Sequence, residues 1–219
     1  MTNYVFIAVI SYSIVIAAII GLVRLPRLHG AYQPFIFITI LSLAGEIMSQ
    51  ILITHKKSNA VAVNMFGLFD AVLWCWQFKN WNTNKKYRVM LRVVVIALLI
   101  LWIIENIILR KLFVFGYLFP IAFSLVMVIL SGIQLSLEIA RERGNLLTTS
   151  KFLICTGTVL FYTYRILVEC FFAPGMSKSD IFFGNVFIIL SLVNFIVNLL
   201  FALAVLWIPE KQKFSLPFY

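Results

Sequence analysis

Phe161-Tyr162-Thr163-Tyr164-Arg165-Ile166-Leu167-Val168-Glu169-Cys170 lies within an apolar run from Phe152 to Ala173. A run of that length crosses a bilayer as a helix. An arginine deep inside it costs at least ~3 kcal/mol on insertion, so it needs partners. Glu169, at i+4, lies one turn away and is the first of them. The others must come from other helices, and looking for them gives the architecture.

The rest of the chain has the same character. Of its 219 residues, 63% are hydrophobic and 12% charged, whereas soluble proteins carry about a quarter charged residues. The class is a polytopic, all-α membrane protein. Seven spans are expected, at about 4–23, 34–54, 59–78, 89–109, 112–137, 150–173 and 181–208, forming one domain. The run from Tyr4 to Val23 is too long for the core of a cleaved signal peptide, and no basic residue precedes Arg24. It reads as the first span. Pro26 closes it, Pro34 suits a first helical turn, and Ser58 is placed to cap the third span. Pro120 is expected to kink the fifth, and Pro174-Gly175 and Pro209 end the last two.

The net charge of +10 does not point to nucleic acid, because the basic residues cluster in short loops at span ends. One side carries Arg24, Arg27, Lys79, Lys85, Lys86, Arg88, Arg141, Arg143, Lys151, Lys211 and Lys213. The other carries Lys56, Lys57, Arg110, Lys111 and Lys178, and Arg92 and Arg165 lie within spans. The bias puts the N-terminus outside and the C-terminus in the cytoplasm. No connection is long enough for a separate catalytic or ligand-binding domain.

Several spans carry one acid each. Glu46 shares a stripe with Ser42, Ser49 and Gln50, and Asp70 shares one with Asn64, Gly67 and Trp74. Glu105 and Asn106 come near the outer end of the fourth span. The seventh has no charge but aligns Ser191, Asn194 and Asn198 on one face. At 1.5 Å per residue, Glu46 lies ~18 Å and Arg165 ~22 Å from the basic ends of their helices, and Asp70 lies ~15 Å from the other end of its own. These groups can meet in one layer. If all four acids of that layer were ionised against one arginine, it would carry net negative charge in a low-dielectric setting, which is unfavourable. The candidate ligand- or proton-binding residues are therefore Glu46, Asp70, Arg165, Glu169, Tyr162 and Asn64. The competing reading is a structural clasp in which Arg165 and Glu169 fix helix packing and the asparagines of the seventh span are hydrogen-bond glue.

Several chemistries lack their residues. The seventh span holds no lysine for a retinal Schiff base, and neither an E/DRY-like nor an NPxxY-like run is present. His29 and His55, the only histidines, fall in loops on opposite sides, so no metal cluster is expected. Cys75, Cys155 and Cys170 are too scattered for a disulfide framework or a metal motif. There is no GxSxG. No cofactor and no catalytic residue are expected, and enzymatic action would have to rest on carboxylates alone, as in a lipid-cleaving enzyme.

Ser42-Leu43-Ala44-Gly45-Glu46, an asparagine-containing turn, and a helix with a central acid followed by Trp76-Gln77-Phe78 form a pattern over about the first eighty residues. It resembles small seven-helix bacterial membrane proteins, some encoded near signalling genes. The resemblance implies a bacterial inner-membrane location and no particular activity. The expected function is a non-enzymatic sensor or receptor that binds a small ligand or proton in an outward-facing polar layer. It would act through a cytoplasmic partner by way of Glu138 to Lys151, with Pro120 as a hinge. The alternatives are a proton-coupled transporter or channel, favoured by oligomeric assembly, and an accessory subunit of a membrane complex.

Overall fold

The structure, a computed structural model, describes residues 10, 12–55, 57–141, 145–172 and 180–211. These form α1 (Ile14–Arg24), α2 (Gln33–Thr54), α3 (Ala60–Trp81), α4 (Lys85–Ile103), α5 (Leu118–Arg141), α6 (Ser150–Phe172) and α7 (Asp180–Trp207). The start of the first span at Tyr4, and the Pro174-Gly175 stop, lie outside the described residues. Six helices are long and apolar enough to cross a membrane, and the described part of α1 is shorter. Among the described residues the only strand-like pairing is an isolated bridge between Leu28 and Glu210.

Exposed side chains are apolar on nearly every helix. Val23, Val93, Ile107 and Leu203 are among the large hydrophobic residues that face outward. In water this would be an aggregation surface, and against lipid tails it is the expected one. The interior is aromatic. Phe35, Trp74 and Phe78 are buried, with Trp74 set edge-on to Tyr162 and Tyr162 edge-on to Phe123. This cluster joins α2, α3, α5 and α6, and Phe201 of α7 meets Phe35 at 5.2 Å between ring centres.

Polar fasteners satisfy backbone groups that helix ends leave over. The Arg24 guanidinium donates to the carbonyls of Val205 (2.7 Å) and Ile208 (3.3 Å), capping the C-terminus of α7 with a positive charge. Buried Gln77 accepts the Phe35 N–H at 2.7 Å and donates to the Ala31 carbonyl at 2.8 Å, which ties α3 to the start of α2. Gly157 lets α6 approach α7 closely, since a Cβ there would sit 2.8 Å from the Phe201 ring.

Two expectations about the fifth span need correction. It begins at Leu118, not Leu112. A π-helical turn, Ile104–Ile108, extends α4 and an irregular segment follows. Buried Glu105 accepts the N–H groups of Tyr117 (2.8 Å), Leu118 (2.9 Å) and Phe119 (2.7 Å), which fixes the N-terminus of α5 there. Pro120 therefore falls in the first turn of α5, where a missing N–H leaves no bond unmade. It is a helix-start residue and not a mid-span kink. The fourth span starts earlier than expected, at Lys85, because Asn84 caps it by accepting the Lys86 N–H at 2.9 Å.

Candidate functional site

A cavity of about 260 Å³ lies between α1, α2, α3, α6 and α7. Its polar wall contains Glu46 from α2, Asp70 from α3 and Tyr162 and Arg165 from α6. By helix rise, Glu46 and Arg165 stand ~20 Å from the basic ends of α2 and α6, past the middle of the bundle. The helix spacing explains why these residues converge. At 100° per residue, Val63, Phe66, Asp70 and Trp74 share one face of α3, and Phe161, Tyr162 and Arg165 share one face of α6.

The groups are connected in an ordered way. Tyr162 Oη donates to Asp70 Oδ2 at 2.7 Å. Arg165 Nε lies 3.7 Å from Glu169 Oε1, both side chains about one-fifth exposed. Asp70 is also within electrostatic reach of Arg165. Asn198 donates to Ser13 Oγ at 2.9 Å, joining α7 to α1 beside the cavity. Asn59 holds Ser49 by a short hydrogen bond to its hydroxyl. Glu46 has no hydrogen-bond or ion-pair partner among the described residues.

Glu46, Asp70, Tyr162 and Arg165 thus share one cavity, with Glu169 behind Arg165. Asn64 and Glu105 lie elsewhere. Asn64 donates to the carbonyls of Leu112 and Val114 at 3.1 and 3.0 Å and braces the segment before α5. Its position explains the misplacement: six residues before Asp70 is about 120° around the helix, whereas Val63, seven before, is nearly in line. Glu105 is spent on the N-terminus of α5, so the layer holds three acids against Arg165 and not four. On α7, Asn194 and Asn198 line the cavity but Ser191 does not.

Nothing in the local sequence singles out the aromatic part of the wall: Phe66, Phe161 and Phe201. Aromatics are 16% of the chain, so only their register with Asp70 and Arg165 marked them. Gly45 also lines the cavity. The Phe66 ring packs onto it at ordinary contact distance, 3.6 Å from where a Cβ would be, next to Glu46.

No group of three histidine, cysteine, aspartate or glutamate side chains that could hold a metal occurs among the described residues. The chain matches no protein-family model, no curated protein and no solved structure.

Proposed function

We propose that this protein is a receptor-like membrane protein that binds a small polar ligand in the cavity of Glu46, Asp70, Tyr162 and Arg165. In this reading the N-terminus is outside and the ligand comes from the outer side. Five helices share the wall, so occupancy shifts their packing, and the basic end passes the change to a cytoplasmic partner. One observation carries the reading: ionisable groups from three helices line one open volume, and Glu46 faces it without a hydrogen-bond or ion-pair partner among the described residues. A structural clasp would leave no such space, and ionisable groups within membrane spans mark functional sites by default.

The test is thermal unfolding of the detergent-purified protein against a panel of small polar molecules. The expected result is a ligand-dependent rise in Tm that Glu46→Gln and Tyr162→Phe lose while still folding. Collapse of both variants, with no molecule shifting the wild type, would return the site to a clasp.

A second reading, proton-coupled transport, draws on α5. Ser124 and Ser131 have buried hydroxyls without partners among the described residues and share a helix face with Gln134 and Glu138. Glu138 is held by Gln134 at 3.0 Å and Lys151 at 3.2 Å, toward the basic end. That file of polar groups starts beside Phe123, which contacts Tyr162. Proton flux into proteoliposomes that Glu138→Gln abolishes would favour it, and absence of flux would remove it.

A further inference from the structure

We infer that the ligand of this cavity is a small organic cation of the ammonium class, received by Glu46 and the aromatic wall beside it. The inference rests on the proposal that the cavity binds a ligand. Arg165 faces two carboxylates, Glu169 at 3.7 Å and Asp70 nearby. Asp70 is further held by the Tyr162 hydroxyl. Arg165, the only cation lining the wall among the described residues, is therefore already answered by protein carboxylates. Glu46 is different: it lines the same cavity without a hydrogen-bond or ion-pair partner among the described residues. A carboxylate without a partner in such a wall takes up either a proton or a positive counter-charge.

The surroundings favour an organic cation over a metal ion. No three metal-ligating side chains come together among the described residues, and Glu46 with an Asp70 already held by Tyr162 is a poor site for a hard cation. Phe66 packs on Gly45, immediately beside Glu46, and Phe161, Trp74 and Tyr162 continue the wall. Ring faces attract ammonium groups, and an aromatic cage with one carboxylate is a general solution for holding them. At about 260 Å³ the cavity is far larger than one water requires, about 10–15 Å³.

An ammonium group can arrive on a free amine or on the headgroup of a membrane lipid. The experiment separates the two sources. Tm is measured at fixed pH and ionic strength in nanodiscs of phosphatidylglycerol and of phosphatidylcholine, with tetramethylammonium, n-butylammonium, n-butanol or butyrate added. We expect the two ammonium probes to raise Tm in phosphatidylglycerol, and the neutral and anionic probes to have no effect. Glu46→Gln should weaken the response at least ~tenfold, as loss of a charged partner does. Phe66→Leu should weaken tetramethylammonium roughly fivefold while keeping the fold, as loss of one ring face does. A response that persists in phosphatidylcholine identifies the free amine as the ligand, and one that vanishes there identifies the lipid headgroup as its competitor. Either supports the cation. Equal shifts with butanol, or an undiminished ammonium response in a folded Glu46→Gln, overturn it. A butyrate-only shift that Arg165→Gln removes also overturns it but leaves the cavity proposal standing. Silence with all four probes removes both.

Discussion

Glu105 and Glu46 illustrate how differently one residue type behaves in this bundle. Glu105 receives three backbone N–H groups and is fully enclosed. Gly116 leaves room for it, since a Cβ there would stand 2.8 Å from the Glu105 carboxyl carbon. Glu105→Gln replaces one acceptor oxygen with a donor facing an N–H group. We expect a loss of about 2–3 kcal/mol, the scale of a broken charge-assisted bond plus an unsatisfied donor. The check is a lower Tm for Glu105→Gln together with unchanged binding in the cavity. Glu46→Gln is expected to do the reverse. It breaks no contact among the described residues, so stability should stay within about 0.5 kcal/mol of wild type, as for substitutions away from specific contacts. Ligand response should be what changes. Thermal unfolding of the two variants side by side decides whether one glutamate is a fastener and the other a receptor group.

At the scale of elements, helix ends separate the two sorts of proline and amide. Pro120 lies in the first turn of α5, so Pro120→Ala is expected to change stability by less than about 1 kcal/mol and to leave any ligand response intact. A hinge at this position would instead couple the substitution to that response. Gln77 serves both a donor and an acceptor at the start of α2. Gln77→Leu leaves both unpaired in the interior, and a loss of about 2–4 kcal/mol is expected from two unsatisfied groups. Hydrogen exchange should then rise at Phe35 and its neighbours before it rises elsewhere. The α6–α7 pair depends on Gly157 in a similar way, because the Phe201 ring occupies the space a side chain would need.

At the scale of the whole molecule, charge bias is the one determinant of orientation available. α1, α3, α5 and α7 end, and α2, α4 and α6 begin, on the side rich in lysine and arginine. If that side is cytoplasmic, a cysteine at Lys57 reacts with an impermeant maleimide added outside intact cells, and one at Lys85 reacts only after the membrane is opened. The opposite labelling pattern would invert the protein and with it the side from which the cavity is reached.

Much of this was legible in the sequence, and the reason is the solvent. In a bilayer each span must satisfy its own backbone and show lipid an apolar surface. Length and composition therefore determined the all-helical fold and the existence of the spans. The cost of burying charge made Glu46, Asp70 and Arg165 stand out, because no such residue sits in a membrane without a reason. Helix periodicity linked Arg165 to Glu169 for the same cause: i and i+4 are neighbours on any helix. Tertiary structure alone decided which polar groups meet. Asn64 and Asp70 share a helix but face different neighbours. Glu105 is drawn to the N-terminus of α5 by free N–H groups that exist only once that helix has started at Leu118. Arg24 finds its partners on α7, 181 residues further on. Contacts of that kind depend on how the helices are rotated and set against one another, and no local spacing encodes that.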